Sequence, residues 1–189
     1  TVKHITLVDL DPAVVELAKQ HPKITELNQR SLWHEKVSVV HQDAFTFLNT
    51  AAQPLYDLIL IDLPDPSQPA LARLYSQEFY SLVKRRLSAK GVMMTQATSP
   101  MFATDAFWSI FHSVKAAGYK ATKPLHANIP SFGEWGFVIA SDHKLPTQQI
   151  RIPEFTRYLT SAHQQTLWSF GNDIAERPVN ESTLDDPQV

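Results

Sequence analysis

Apolar and polar positions along the chain switch between short continuous runs and stripes at helical spacing. Ile5 to Leu10 is a short apolar run that ends among Asp9 and Asp11. Pro12 then suits the first position of a helix, with Asp11 as its cap, and Val14, Val15, Leu17 and Ala18 continue as a helical stripe. Val37 to His41 reads as a second strand, closed by Gln42-Asp43, with a short helix or turn from Ala44 to Leu48. Tyr56 to Ile61 is apolar apart from Asp57, as expected of a parallel strand buried on both faces. It runs into Asp62-Leu63-Pro64-Asp65-Pro66, an acidic loop stiffened because each proline fixes its own φ and restrains the residue before it. Leu74, Tyr75, Phe79, Leu82, Val83 and Leu87 form a stripe that predicts one helix over Leu71 to Leu87. A turn over Ser88 to Gly91 leads to a strand from Val92 to Thr95, ending at Gln96. A helix is expected over Asp105 to Ala117, stopped by Gly118. Lys120 to Ala127 is a further strand, Ile129 to Gly136 a loop, and Phe137 to Ala140 a last strand with its start slightly earlier. The tail holds one expected helix, around Phe155 to Leu167.

Strands alternating with helices predict an α/β fold with a mostly parallel sheet and right-handed connections. The last two strands, joined by only a loop, suit an antiparallel pair at one edge. The pattern fits a Rossmann-like sheet of the methyltransferase type, in which ligands bind beyond the carboxyl ends of the strands.

With 189 residues, 43% of them hydrophobic, the chain can build a sizeable core. A net charge of -2 without a basic tail or stripe gives no reason to expect nucleic acid. The absence of cysteine excludes a thiol nucleophile and a thiolate metal site. No run of apolar residues is long enough to span a bilayer. The histidines form no short-range ligand motif, and neither a serine elbow nor a phosphate-binding Walker loop occurs.

The informative chemistry lies in the acids. Asp9, Asp43, Asp62 and Asp65 each fall at or just after the carboxyl end of an expected strand. Parallel strands would place those ends on one rim. Asp9 suits ribose hydroxyls or, equally, a helix cap or turn. Asp43 suits an adenine amine or a cap on the helix starting at Ala44. Asp62 and Asp65 flank Leu63-Pro64 and form a stiff negative pocket. That pocket fits a cationic amine, a general acid and base pair, or a plain capped loop. A divalent metal is disfavoured because the neighbouring leucine and prolines bring no further side-chain oxygen. Gln96 can line the same crevice, and Phe132 and Trp135 can wall it, while Phe137 reads as core. Glu134 sits in a glycine-flanked loop, either exposed or aimed at the site.

Taken in order, Val8-Asp9-Leu10-Asp11-Pro12, Gln42-Asp43-Ala44-Phe45, Ile61-Asp62-Leu63-Pro64-Asp65-Pro66, Leu74-Tyr75-Ser76 with Phe79-Tyr80, Gln96-Ala97-Thr98-Ser99-Pro100 and Ile129-Pro130-Ser131-Phe132-Gly133-Glu134-Trp135-Gly136-Phe137 resemble the polyamine aminopropyltransferase (spermidine synthase) family. The resemblance extends over roughly residues 2 to 142 and points to the bacterial branch whose synthase domain is fused to membrane-spanning helices. It implies aminopropyl transfer from decarboxylated S-adenosylmethionine, a co-substrate, to putrescine or a similar amine, giving spermidine and methylthioadenosine. Asp62 resembles the catalytic aspartate and Asp65 its partner near the amine. Gln96, Phe132, Glu134 and Trp135 correspond to the substrate pocket. Asp9 resembles the ribose-binding acid, and Asp43 with Ala44 the adenine end. Phe132 stands where soluble members commonly carry a tyrosine, which removes a hydroxyl from the amine end.

The same resemblance implies a catalytic domain over residues 1–144 and a helical extension over 145–189 packed on it. It also implies a homo-oligomer, no metal, and a cytoplasmic domain attached to N-terminal membrane helices in a multi-pass protein of the bacterial inner membrane. A Gly-x-Gly turn is expected about twenty residues before Asp9, and the sequence starts after that point. The expected sheet therefore lacks its first strand, with a gap between the strands ending at Asp9 and Asp62, and donor binding by the isolated chain is expected to be weak or absent. Two rivals share these features: a small-molecule methyltransferase using S-adenosylmethionine, and a non-catalytic synthase-like domain of a membrane protein.

Overall fold

The computed structural model describes residues 2–50, 54–145 and 151–188. These fall into two compact units divided between Gln53 and Pro54.

The first unit holds a two-stranded parallel sheet, β1 (Ile5–Asp9) beside β2 (Val37–His41), with Asp9 in register with His41. Between them lie α1 (Pro12–Gln20) and α2 (Pro22–Leu27), and α3 (Ala44–Asn49) follows β2. α1 starts as its sequence dictates. The Asp11 carboxylate accepts the Ala13 amide at 2.8 Å, and Pro12 occupies the first turn, where its missing N–H costs nothing.

The second unit is built on a four-stranded sheet in the order β3 (Tyr56–Ile61), β4 (Leu87–Gln96), β6 (Gly133–Ser141), β5 (Ala121–Ile129). Only β3 and β4 are parallel; β6 runs antiparallel to both β4 and β5. The expectation of a mostly parallel sheet is thus corrected to a mixed one. A connection of only Pro130, Ser131 and Phe132 between β5 and β6 permits nothing but an antiparallel pair. β6 then inserts between β4 and β5. The segment Gly133 to Gly136, expected as loop, is strand and part of that ladder. The strands ending at Asp9 and Asp62 lie in separate sheets. β1 pairs only with β2, and β3 only with β4, among the described residues. Leu58 and Leu60 on β3 are 56% and 66% exposed, although their sequence is that of a strand buried on both faces.

The helix expected over Leu71 to Leu87 is two short helices, α4 (Pro69–Ala72) and α5 (Gln77–Arg85), with a 3-10 turn at Arg73–Tyr75 between them. Ser76 breaks the run: its backbone is extended and its hydroxyl accepts the Phe79 amide at 3.2 Å, capping α5. α6 (Thr104–Ala116) packs on the sheet through Phe107, Ile110 and Val114, all fully buried. Gly136 on β6 leaves room for a side chain of this helix, since a Cβ there would meet the Phe107 ring at 2.4 Å and the Thr98 carbonyl at 2.9 Å.

The C-terminal segment is mostly irregular. Its helix, α7 (Ser161–Thr166), is shorter than the expected Phe155 to Leu167, because Thr160 caps it and Thr156 closes a separate turn on Pro153 and Leu159. The segment docks on α6 and the sheet through backbone partners. Trp108 donates its indole N–H to the Ile174 carbonyl at 3.1 Å, the His126 amide donates to the Leu167 carbonyl at 2.9 Å, and the Ser182 amide donates to the Ser113 hydroxyl at 2.8 Å. No helix among the described residues is long and apolar enough to cross a membrane.

Candidate active site

Each unit carries its acids at the carboxyl end of its parallel strands. In the first, Asp9 Oδ1 accepts the Asp11 amide at 2.8 Å. The helix cap is Asp11, so Asp9 shapes the turn and is not the cap. Asp43 does cap α3: its Oδ1 accepts both the amide and the hydroxyl of Thr46, each at 2.9 Å. Ala44 is the first residue of that helix, and Asp9, Asp43 and Ala44 are all half-buried.

In the second unit Ile61 is in register with Thr95, so Asp62 and Gln96 leave their parallel strands side by side. Asp62 and Asp65 are both exposed. Gln96 is only 5% exposed and is not a free pocket ligand; every polar atom of its amide is engaged. Its nitrogen donates to the Leu63 carbonyl at 2.7 Å, to Asp65 Oδ1 at 3.3 Å and to the Tyr75 hydroxyl. Its oxygen accepts the Thr98 amide at 2.8 Å and the Trp135 indole N–H at 3.2 Å. Thr98 holds a φ of +58°, a left-handed backbone that a β-branched residue adopts only when its surroundings impose it. Here two bonds impose it, the Gln96 oxygen on its amide and the Gly136 amide on its carbonyl at 2.7 Å.

Tyr75 completes this network. Its ring is fully buried, and its hydroxyl donates toward the carbonyls of Leu63 and Pro64, both 3.0 Å away. Burial pushes its phenol well above the usual range, and the nearby Tyr80, Asp65 and Asp62 push it further, so it stays a neutral donor. Sequence periodicity places Tyr75 in an apolar stripe. The signal available there was the hydroxyl itself, since a buried tyrosine O–H needs a partner.

Trp135 also stacks obliquely on Phe132, with ring centroids 5.1 Å apart, and Phe132 stands 61% exposed at the hairpin tip. The structure therefore brings Asp65, Gln96, Trp135 and Phe132 into one chain of contacts, with Asp62 beside Gln96. It does not bring Glu134 to them. Side chains alternate along β6, so Glu134 points to the opposite face from Trp135. There its carboxylate pairs with the His126 ring, whose other nitrogen faces the Ser169 carbonyl at 2.7 Å. No cluster of three or more acidic or histidine side chains able to hold a metal ion occurs among the described residues.

In α/β chains of the Rossmann-like type ligands bind beyond the carboxyl ends of the parallel strands, which is where each unit carries its acids. Comparison makes this specific. The model of the "Spermine/spermidine synthase domain" matches residues 1–151, and the chain belongs to that family. The polyamine aminopropyltransferase of Oceanobacillus iheyensis is 44% identical over 192 residues, covering 100% of this chain and 37% of that protein. Polyamine aminopropyltransferase 1 of Streptomyces coelicolor is 43% identical over 190 residues, covering 100% of this chain and 35% of that protein. The chain thus spans little more than a third of the length of these relatives. The crystal structure of spermidine synthase from Thermotoga maritima superposes with a TM-score of 0.75 at 19% identity, covering 90% of this chain and 58% of that one. A spermidine synthase in complex with the transition state analogue AdoDATO gives 0.77 at 18%, covering 90% and 59%. These two likenesses establish a shared fold.

Proposed function

We propose that this chain is part of the catalytic domain of a polyamine aminopropyltransferase, which moves an aminopropyl group from decarboxylated S-adenosylmethionine to putrescine or a similar amine. The observation that carries the reading is the pair of exposed carboxylates, Asp62 and Asp65, on a loop held from beneath by Gln96 and Tyr75.

The donor carbon sits on a sulfonium, already a good leaving group. The nucleophile is an amine that is mostly protonated near neutral pH, as the lysine reference value of about 10.4 implies. The protein must therefore take a proton and hold the free amine behind the reactive carbon. Asp62 is the group for that proton and for orienting the amine. Asp65 pairs with an ammonium, either the donor's or the far one of the acceptor. Trp135 and Phe132 offer apolar surface to the aliphatic stem between the charges. Asp9 takes the ribose hydroxyls of the donor, and Asp43 with Ala44 its adenine. Glu134, committed to His126, takes no part. In the whole protein this domain lies on the cytoplasmic side of N-terminal membrane helices and acts as a homo-oligomer.

The test is turnover by the full-length protein with decarboxylated S-adenosylmethionine and putrescine, against the same protein carrying Asp62→Asn. Loss of a general base is expected to lower kcat by about 10²- to 10⁴-fold. Preference for intact S-adenosylmethionine with methyl transfer would move the assignment to the methyltransferase. No turnover with either donor would leave a non-catalytic domain.

A further inference from the structure

We infer that Tyr75 is a positioning residue for the proposed transfer: its buried hydroxyl, together with Gln96, clamps the backbone of the Asp62–Asp65 loop and so sets where the two carboxylates stand. The inference rests on the aminopropyltransferase reading for its catalytic consequence, and on geometry alone for the clamp.

The loop needs such a clamp. Asp62, Pro64 and Asp65 are exposed, and Pro64 and Pro66 have no N–H to donate, so the loop has few backbone means of fixing itself. Within it, the Ser67 amide donates to the Asp65 carbonyl at 2.7 Å. The carbonyls of Leu63 and Pro64 are held by side chains from outside the loop, each 3.0 Å from the Tyr75 hydroxyl. The Leu63 carbonyl also accepts the Gln96 amide at 2.7 Å. These carbonyls belong to the two residues that separate the carboxylates, so fixing them fixes the spacing of Asp62 and Asp65. Gln96 reaches Asp65 directly at 3.3 Å and is itself oriented by Thr98 and Trp135.

Tyr75 is rigid enough for the task. Its ring has no exposed surface, and it sits on the 3-10 turn directly before the Ser76 cap, so its backbone is pinned by the start of α5. The neighbouring Ser76, Phe79 and Tyr80 are buried to within 1% of exposure. Because the phenol remains neutral through ordinary pH, the clamp does not loosen with pH. Ionisation of this tyrosine should then leave no mark on the pH profile of turnover.

The experiment uses the full-length protein with Tyr75→Phe, which keeps the ring and deletes only the hydroxyl. Two readouts are taken. Hydrogen exchange by mass spectrometry on the peptide containing Asp62 to Ser67 is expected to be at least threefold faster in Tyr75→Phe, with exchange in β4 unchanged. Turnover with decarboxylated S-adenosylmethionine and putrescine is expected to fall about 10- to 100-fold in kcat, as for a misplaced catalytic group, with KM for the donor within twofold and the shape of the pH profile retained. Unchanged exchange overturns the clamp, whatever the activity. Faster exchange with unchanged kcat overturns the positioning role. A wild-type protein without turnover overturns the aminopropyl reading, and exchange still decides the clamp. Gln96→Met removes the loop contacts to the Leu63 carbonyl and Asp65 from the other side and is carried through both readouts, so that a Tyr75→Phe protein that does not fold leaves the decision to it.

Discussion

Gly136 offers a sharp test of how the second unit is packed. Replacing it with alanine adds one methyl group where the Phe107 ring lies 2.4 Å away and the Thr98 carbonyl 2.9 Å away. Ordinary contact begins at 3.4 Å, so either the ring or the strand must move by about 1 Å (3.4 less 2.4). Neither moves cheaply. Phe107 is fully buried, edge-on to Trp108 at 4.9 Å and against Phe170 at 5.7 Å. The other neighbour is backbone, tied to Gly136 itself by a 2.7 Å hydrogen bond. Overpacking of this kind costs about 1–3 kcal/mol, and with both neighbours fixed the upper end applies, about 3 kcal/mol. At roughly 2–4 °C per kcal/mol for a chain of this size, Gly136→Ala should lower Tm by about 6–12 °C. Gly118→Ala is the matched control. Its φ of +84° strains any side chain, yet its nearest neighbour is only the end of Lys84, 3.6 Å off. That strain costs about 1–2 kcal/mol, or about 2–8 °C. Thermal unfolding followed by near-ultraviolet circular dichroism measures both. A Gly136→Ala midpoint within about 2 °C of wild type, or a smaller drop than Gly118→Ala, would refute the claim that α6 and β6 are in contact at that point.

Other outcomes follow from the same structure, alongside the Asp62→Asn and Tyr75→Phe measurements above. Trp108→Phe keeps an aromatic ring but strips the Ile174 carbonyl of its 3.1 Å donor; a loss of about 1–3 kcal/mol and faster cleavage after Glu176 by a glutamate-specific protease are expected, and an unchanged cleavage rate would mean that the tail docks by other means. Alkaline stability should be limited by tyrosine. Burial pushes the phenols of Tyr75, Tyr80 and Tyr119 above their ordinary range, with Tyr80 adding to the effect at Tyr75 and Tyr119. Raised folded values mean that the unfolded chain loses these protons first, from about pH 10 upward. The stabilisation is therefore complete below pH 10 and drains away above it, by up to about 1.4 kcal/mol per pH unit for each tyrosine. Urea midpoints should be flat from pH 8 to 9 and fall steeply beyond 10, with the late absorbance rise at 295 nm tracking unfolding. Full ionisation of every tyrosine while the chain stays folded would contradict their burial.

The strand ends and the acids were legible because both signals are local. Apolar runs located β1, β2 and β3, and Asp11-Pro12 announced its helix start. The sheet's mixed sense was less legible, since β6 beside β4 depends on pairing between segments distant in sequence. Ser76 hid inside a good helical stripe because periodicity ignores the competition of its hydroxyl for the backbone. At the site, residue type alone identified Gln96 as polar and well placed. Only the fold shows its amide spent on Leu63, Tyr75, Asp65, Thr98 and Trp135. Glu134 looked like a pocket residue because Gly133 and Gly136 read as loop. Once they are strand, alternation sends it to His126.

The three-residue connection Pro130 to Phe132 has a consequence for how this hairpin can vary. On β6, odd-numbered Trp135 serves the Gln96 side, and even-numbered Glu134 and Gly136 serve the α6 side. The connection is thus a phase setter for two unrelated jobs. Adding or deleting a single residue there would leave the ladder able to form but exchange its faces, driving Trp135 (on insertion) or Phe137 (on deletion) into the space reserved for Gly136 and carrying the Trp135 indole away from Gln96. Substitutions in the turn are cheap by comparison. The turn therefore tolerates a change of residue more readily than a change of length, unless the length changes by two.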